Sequence, residues 1–247
     1  MQINKCSLNS TPEIKEGKET SMILCGIDEA GRGALAGPVY AAAVILPDSF
    51  DISILDDSKK LSPKRREIAR KVILEHALYW QIASMSPDLI DKINILQATL
   101  AAMKEAFEAL FAQYSKDNTN AGAARERNLT VIVDGNQLPD ICGNFKLIAE
   151  PKADGRYPCV MAASILAKTE RDHCMMDYHK RYPLYRYDLH KGYGTKLHRS
   201  LIGLYGASPI QRHSFKFKNV SVNLPANHIK REFCILRCTE ALGHYFD

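Results

Sequence analysis

Five short runs of apolar residues divide the chain and predict the strands of a sheet. They span residues 22–27, 38–46, 79–85 and 129–135, with a fifth that begins at 146 and runs into a loop. Runs of this length, bounded by Gly, Pro or Asp, are typical of buried strands, whereas helices need longer periodic segments. The first run is followed at once by Asp28, and the fourth ends in Asp134-Gly135.

Apolar residues at helical spacing lie between and after these runs. They predict helices over residues 64–78, 88–113 in two pieces, 158–182, 196–204 and 226–240. Ser-Pro pairs at 62–63 and 86–87 mark two helix starts, because serine caps a first turn and proline suits the first helical position. Strands that alternate with helices predict an α/β sheet protein, and the part after residue 183 is predicted to be a helical appendage on one face or edge.

Length and composition limit the class of protein. A chain of 247 residues, 46% hydrophobic and 25% charged, is ordinary for a globular protein with one large domain. No apolar run reaches the roughly 18 residues that predict a membrane span. Residues 1–21 are polar, lack the apolar segment of a secretory signal and are predicted to be a flexible extension. The seven cysteines stand singly, which argues against a disulfide framework or a zinc site and favours a reducing cytoplasm.

Basic residues are concentrated in two stretches, although the net charge is only +5. Residues 59–71 hold seven Lys or Arg against one Glu, and residues 179–218 hold nine against Asp188 alone. Charge segregated in this way favours a basic face for a polyanion, and the aromatic residues between the charges of the second stretch suit nucleic acid. The alternatives are a solvated helix surface for 59–71 and core packing for the tyrosines.

Asp28 and Asp134 each end a buried strand, where open α/β sheets place their ligands. An ionised carboxylate there is costly unless it is compensated, and one divalent cation compensates several carboxylates at once. Oxygen ligands favour Mg²⁺ or Mn²⁺ over zinc. Asp154 stands just before the 158–182 helix and is placed to reach the same edge, although spacing alone favours an acid that interacts with the helix dipole.

Glu29 directly follows Asp28, and this constrains the backbone. Successive residues of a regular strand point to opposite faces, so both acids serve one site only if the strand bends or ends there. The Gly31-Arg32-Gly33 segment that follows supplies glycines for such a bend and main-chain N–H groups for a ligand. A simple glycine-rich turn is the alternative.

Other catalytic motifs are missing from the sequence. GRGALAG does not have the spacing of a dinucleotide-binding fingerprint, and neither GxxxxGK[ST] nor GxSxG occurs. His190, His198 and His213 lie in the second basic stretch without a nucleophile partner. Each is therefore interpreted as a surface or core histidine.

Six segments together resemble ribonuclease HII, the type 2 ribonuclease H family. In chain order they are GIDEAGRGALAGPVYAAAVIL (26–46), DDSKKLSPKRRE (56–67), VDGN (133–136), KADGRYPCVMAASILAKTERD (152–172), HKGYGT (190–195) and HSF (213–215). DEAGRG and AASILAK are highly specific. The resemblance implies one catalytic domain over 22–218, preceded by the extension 1–21 and followed by a C-terminal helical extension at 219–247.

The resemblance implies a ribonuclease H-like fold, in which helices flank a mixed central sheet and the C-terminal region is helical. It implies an endonuclease that hydrolyses the RNA strand of RNA–DNA hybrids and nicks 5′ of single ribonucleotides in duplex DNA. Two divalent ions, Mg²⁺ or Mn²⁺, would activate a water and steady the leaving 3′ oxygen, which gives 5′-phosphate and 3′-hydroxyl ends. Ribonucleotide excision repair and DNA replication are the corresponding processes.

The family's four metal-binding acids match Asp28, Glu29, Asp134 and Asp154. Asp172 competes for the fourth place, but the family's acid precedes the AASILAK segment. This order selects Asp154 and leaves Asp172 for an ion pair on the helix face.

Substrate contacts carry over from the resemblance in the same way. The Gly31-Arg32-Gly33 segment would read the ribose 2′-hydroxyl through its main chain, and a Cβ at either glycine would crowd that approach. Tyr193 would stack on the sugar at the RNA–DNA junction and hydrogen-bond the 2′-hydroxyl. Lys59 and Lys168 match positions near the phosphates.

Two alternatives stay open at this point. Type 3 ribonuclease H prefers long hybrids and usually carries an additional N-terminal domain, whereas few residues precede the first strand here and Tyr193 favours type 2. An inactive duplex-binding module is disfavoured by four clustered acids, because negative charge near phosphates does not help binding. The expected partners of a monomer are RNA–DNA hybrids and ribonucleotide-containing duplex DNA, and a replication clamp is an open further partner.

Overall fold

The computed structural model describes residues 22–56, 58, 60–117 and 128–216. All five predicted strands are present, and they are β1 (Ile23–Ala30), β2 (Val39–Ile45), β3 (Tyr79–Met85), β4 (Leu129–Asp134) and β5 (Lys146–Glu150). The predicted extensions 1–21 and 219–247, with the helix at 226–240, lie outside the described residues, and so does Lys59.

The five strands form one mixed sheet in the order β3-β2-β1-β4-β5. β1 and β3 are antiparallel to β2, whereas β4 is parallel to both β1 and β5. Ile27 of β1 is in register with Val133 of β4. Because parallel strands end at the same edge of a sheet, this register leaves Asp28 and Asp134 side by side.

Five α-helices and three short 3-10 helices complete the described part of the chain. The α-helices are α1 (Pro63–His76), α2 (Pro87–Asp117), α3 (Pro158–Arg181), α4 (Tyr187–His190) and α5 (Lys196–Tyr205). The 3-10 helices are Ile52–Ile54, Ala153–Gly155 and Pro183–Tyr185.

The helix starts and the break in α2 follow from local chemistry. Ser62 caps α1 by accepting a hydrogen bond from the N–H of Arg65 at 3.3 Å. Asn94, with φ 68° and ψ 165°, interrupts α2, and its Oδ1 accepts a 3.1 Å hydrogen bond from the N–H of Gln97. The prediction of two helical pieces is therefore confirmed, with Asn94 as the cap of the second.

The sheet is covered on both faces. α2 packs on one face, against Cys25 and Ile27 of β1. α1 and α3 pack on the other, where a Cβ at Gly26 would overlap the main chain of Cys159 and Val160. Gly26 thus lets α3 lie directly on the central strand, so that the helix runs alongside β1 toward the edge that carries the acids.

The segments after residue 183 form the predicted helical appendage. They join the connection between β1 and β2 through isolated bridges of Ala34 with Tyr193 and of Ala36 with Gln211. Ala36 also packs in a small apolar cluster with Tyr187 of α4. Within the ranges given above, the structure has no helix with the length and apolar character needed to cross a membrane.

Candidate metal centre and substrate-binding loop

Three carboxylates come together at the edge of the sheet where β1 and β4 end. Asp28, Asp134 and Asp154 each offer an oxygen, and these oxygens lie within 4.8 Å of one another. Asp28 and Asp154 are buried, at 5% and 7% exposure, and Asp134 is half-buried. Two strand ends and a 3-10 helix therefore assemble a compact group of hard oxygen donors.

A short turn after β5 places Asp154. Lys152 adopts the left-handed conformation, with φ 62° and ψ 33°, and the 3-10 helix Ala153–Gly155 begins directly after it. The main-chain N–H of Ala153 donates a 2.8 Å hydrogen bond to Asp134 Oδ1. The residue next to Asp154 is thereby tied to the end of β4.

Asp172, the competing acid, has other partners. It lies on α3, where its Oδ1 accepts a 2.6 Å hydrogen bond from Lys168 Nζ in an ion pair between successive turns. Its Oδ2 is 3.8 Å from Arg66 Nη2. Asp172 therefore forms the helix-face ion pair that the sequence predicted for it.

The carboxylate of Asp28 is poorly solvated. Burial, and next the charge of Glu29, raise its pKa well above the usual range. Hydrogen bonds from Ser164 and from the main-chain N–H of Glu29, the latter 2.7 Å long, act in the opposite direction. Among the described residues, no Lys or Arg forms an ion pair with Asp28 or Asp134. A divalent cation would supply the missing positive charge, so the donor set fits such an ion.

Glu29 does not join the group of three oxygens. The expectation that β1 ends at Asp28 is wrong, because pairing with β2 continues through Glu29 to Ala30. In a regular strand, Glu29 and Asp28 point to opposite faces. Burial raises the pKa of Glu29, Arg32 at 3.4 Å lowers it, and Asp134 raises it further. The carboxylate therefore lies within electrostatic reach of the centre without being clustered in it.

The loop between β1 and β2, residues 31–38, contains the predicted ribose-reading segment. Gly31 has φ +100°, and a Cβ there would overlap the side chain of Arg171. Gly33 has no atom within 4 Å of an added Cβ, and both Arg32 and Gly33 are exposed. The protein's own packing thus requires glycine at Gly31, whereas only a bound ligand would require it at Gly33.

Tyr193 lies beside this loop and is half-buried. The Arg171 guanidinium carbon is 4.9 Å from its ring centroid, and Lys168 Nζ is 5.5 Å from it. Ser164, which contacts Asp28, precedes Lys168 by one turn of α3. One face of α3 therefore connects the carboxylates with Tyr193.

The two basic stretches divide between surface and core. In the first, Lys64, Arg65 and Lys71 are exposed, but Arg66 is buried and donates to the main-chain oxygen of Ser58. In the second, charged and aromatic side chains enter the core, namely Arg212, Tyr187, His190 and His198. Tyr187 is therefore a core residue, which was the alternative to nucleic-acid contact for the tyrosines of this stretch.

Three residues close to the site were not identified from sequence. Ser164 contacts Asp28 and lies 2.9 Å from Ser58, oxygen to oxygen, while Arg171 and Arg212 lie beneath the 31–38 loop. The small residues of AASILAK were a signal that α3 lies close to the sheet. Nothing in the local pattern distinguishes a buried arginine from a surface one.

Comparison with known proteins gives one family. The family model for ribonuclease HII matches residues 25–219. Ribonuclease HII of Treponema denticola is 52% identical over 204 residues, which cover 80% of this chain and 100% of that protein. Ribonuclease HII of Idiomarina loihiensis is 45% identical over 203 residues, covering 82% and 100%. The solved PCNA:RNase HII complex from Archaeoglobus fulgidus contains a chain that matches with a TM-score of 0.55 and 25% identity, covering 81% of this chain and 98% of that one.

These matches favour type 2 over type 3 ribonuclease H and an enzyme over an inactive binding module. The chain belongs to the ribonuclease HII family, whose members are metal-dependent endoribonucleases that act on RNA–DNA hybrids.

Proposed function

We propose that this enzyme nicks duplex DNA 5′ of a single embedded ribonucleotide, in addition to cutting long hybrids. The observation that carries the proposal is the group of three carboxylates, Asp28, Asp134 and Asp154, with oxygens within 4.8 Å of one another. Beside it lie the exposed main chain of Gly33 and the half-buried Tyr193. The carboxylates would hold the ions that act on a phosphate, and Gly33 and Tyr193 would contact the attached ribose.

The three clustered acids, with Glu29 as a fourth, are the proposed ligands of two divalent ions, Mg²⁺ or Mn²⁺. Such ions lower the pKa of an attacking water and stabilise the leaving 3′ oxygen, so that products carry 5′-phosphate and 3′-hydroxyl ends. The chain orients its own ligands: Ser164 and the Glu29 N–H hold Asp28, and the Ala153 N–H holds Asp134. For Glu29 the support is the resemblance and its electrostatic coupling to Asp134.

Recognition of a single ribonucleotide depends on the 2′-hydroxyl, because this group alone separates the sugar from its DNA neighbours. We assign it to the main chain of Gly31, Arg32 and Gly33 and to the Tyr193 hydroxyl. Lys168, which also pairs with Asp172, is proposed to lie near the phosphates, together with Lys59.

The wider setting is proposed from the same family membership. The activity would serve ribonucleotide excision repair and DNA replication by a monomer. Free thiols at Cys25, Cys142, Cys159 and Cys174 suit a reducing cytoplasm. The solved complex of an archaeal relative with PCNA supports a replication clamp as a further partner.

One assay tests the proposal on three duplexes that differ only in sugar content: all DNA, a long hybrid and DNA with one ribonucleotide. Wild type is expected to cut the last two and to leave the first intact. Asp134→Asn keeps an oxygen that accepts the Ala153 N–H, so we expect a folded protein that binds duplex normally. Its cleavage should fall by more than about 100-fold, beyond what loss of an outer-shell partner causes.

Asp140→Asn is the matched control, since the side chain of Asp140 is 93% exposed and pairs only with Lys104 among the described residues. Near-normal cleavage by Asp134→Asn in Mg²⁺ would overturn the metal assignment. Cleavage of the long hybrid without incision at the single ribonucleotide would overturn the finer substrate proposal and leave the family activity intact.

A further inference from the structure

Two arginines are fully buried beneath the 31–38 loop. Arg171 of α3 and Arg212, which follows α5, are both 0% exposed. In the described part of the chain neither forms an ion pair with a carboxylate, and Arg171 Nη1 and Arg212 Nη2 have no hydrogen-bond partner. Burying two unpaired cations is costly, because each loses its hydration. The arrangement therefore needs a role beyond packing.

Within the described residues, the two guanidinium groups donate four hydrogen bonds, and all four end on one loop. Arg171 donates from Nε to the Pro38 carbonyl at 3.1 Å and from Nη2 to the Ala36 carbonyl at 3.2 Å. Arg212 donates from Nε to the Gly37 carbonyl at 2.8 Å and from Nη1 to the Arg32 carbonyl at 3.1 Å. A planar fork that bonds two carbonyls restrains backbone more tightly than a single ammonium does. The two arginines thus hold the main chain of the loop from its inner side.

Arg171 also contacts two of the residues to which ribose recognition is assigned, Gly31 and Tyr193. Its guanidinium carbon lies 4.9 Å from the ring centroid of Tyr193. It fills the space under Gly31 that a side chain there would need. A cation over an aromatic ring is attracted to it, and the attraction is stronger where water is excluded. Arg171 is therefore a direct bridge between the loop and the tyrosine.

Guanidinium groups stay protonated in proteins at neutral pH, so we treat both arginines as cations. Burial, followed by the charge of Arg171, lowers the pKa of Arg212 to about 9. Burial also lowers the pKa of Arg171, while Tyr193 and Asp172 raise it. Neither cation has a carboxylate within ion-pair distance among the described residues, so the two give the overlying loop a positive potential, which favours an approaching phosphodiester.

We propose that Arg171 is a positioning residue for ribose recognition, which holds the 31–38 loop and the Tyr193 ring in one geometry, with Arg212 supporting the same loop. This inference rests on the proposed roles of Gly31-Arg32-Gly33 and Tyr193. Arg171 acts through these residues, since it is buried and does not reach the substrate itself.

A double-mutant cycle between Arg171 and Tyr193 tests the inference. The variants are Arg171→Lys, Arg171→Gln, Tyr193→Ala and the two doubles, and the readout is kcat/KM on duplex DNA with one ribonucleotide. Arg171→Lys keeps the charge but loses the fork. We expect each Arg171 variant to lower kcat/KM by about tenfold in the wild-type background and by less than about twofold beside Tyr193→Ala, because residues in contact share their effect.

If Arg171 had a purely structural role, its variants would lose activity only as far as they lose stability. Phe107→Leu serves as the stability control, since Phe107 is buried against the other face of the sheet, away from the site. The Phe107→Leu variant should melt at a lower temperature than wild type. At a temperature where it is still folded, its kcat/KM should equal that of wild type. Arg171 variants matched to it in melting temperature should still lose activity.

Each contrary outcome bears on a separate claim. Losses that multiply in the double variants would overturn the positioning role and leave the proposed function standing. Failure of both Arg171 variants to fold would assign the residue to the core alone. Wild-type incision by Tyr193→Ala would overturn the ribose assignment and this inference with it.

Discussion

The main-chain N–H of Ala153 and the Asp134 carboxylate are joined by a 2.8 Å hydrogen bond. This bond connects the 3-10 helix that carries Asp154 to the end of β4. It also occupies one oxygen of Asp134 with a donor that compensates part of its charge. Asp154 is therefore held at the metal centre by a main-chain contact of its neighbour Ala153. The helix dipole is not needed to explain its position.

The first prediction separates Asp154 from Asp172. Asp154→Asn removes a charge from the carboxylate group and should lower cleavage of both substrates by more than about 100-fold. Asp172→Asn removes an ion pair on α3 and should retain at least about a third of wild-type kcat, because partly exposed ion pairs contribute little. Steady-state cleavage rates of both variants in Mg²⁺ show which aspartate is the metal ligand. A larger loss from Asp172→Asn would transfer the ligand role to Asp172.

The second prediction concerns Asp28 when metal is removed. Its pKa is raised in the folded protein, so its contribution to stability is present below the unfolded value of about 3.9 and is lost as pH rises through the folded pKa. At pH 8 the unfolded chain carries Asp28 ionised, so in EDTA the raised folded pKa costs stability. Asp28→Asn should then melt about 2–4 °C higher than wild type, the shift that ~1 kcal/mol gives in a protein of this size.

Adding Mn²⁺ at pH 8 provides the control for that measurement. The ion should raise the melting temperature of wild type, since it binds the folded state only, and should raise that of Asp28→Asn much less. A destabilised Asp28→Asn in EDTA, or equal stabilisation of both proteins by Mn²⁺, would contradict the assignment.

The third prediction compares the same substitution at two glycines. Gly31→Ala should lower the free energy of unfolding by about 1–3 kcal/mol, because Gly31 has a positive φ and Arg171 fills the space of a Cβ. Gly33→Ala should change stability by less than about 0.5 kcal/mol, since no atom lies within 4 Å. Urea unfolding measures both.

Gly33→Ala should change the activity of the enzyme although it does not change its stability. If the ribose approaches the main chain there, Gly33→Ala lowers kcat/KM for single-ribonucleotide duplex despite normal stability. Unchanged kcat/KM in that variant would remove Gly33 from the substrate contacts.

The fourth prediction is a loss of stability in mild acid. Burial, and then His198 stacked at 4.2 Å, lower the pKa of His190 to about 4, against about 6.5 when unfolded. Between these values the unfolded state binds more protons, so stability falls as pH falls from 6.5 toward 4. The expected loss from pH 7 to pH 5 is about 1–2 kcal/mol.

His190→Gln tests the origin of that loss in urea unfolding at the two pH values. It should be less stable overall, because His190 bonds the Tyr185 carbonyl at 2.8 Å, but its stability should depend less on pH. His76→Gln, at an exposed histidine of α1, is the control and should follow wild type. An equal pH dependence in all three proteins would exclude His190 as the source.

Local pattern was sufficient for most elements. Short apolar runs predicted all five strands, because burial in a sheet requires a short run of apolar residues. The Ser62 cap and the division of the second helix into two pieces were also predictable, although the structure alone placed the break at Asn94. Asp28 and Asp134 followed from their places at strand ends, and the resemblance added Asp154, Tyr193 and the glycines.

Long-range packing decided the rest. Pairing with β2 continues β1 through Glu29 to Ala30, so the strand does not end at Asp28 as one of the predicted alternatives required. The contact of α3 with β1 at Gly26 brings Ser164 to Asp28 and Arg171 under Gly31. Arg212 belongs to the basic stretch 179–218, which from sequence favoured a basic surface, and no sequence pattern pointed to Arg171.

The chain's own order of residues was enough to specify strands, helix starts and two of the carboxylates, because those depend on local hydrophobicity and chain geometry. The distance between the acids, the position of Glu29 outside their group and the burial of two arginines depend on contacts between residues far apart in sequence. Burial and electrostatic environment are properties of those contacts, and no local pattern encodes them.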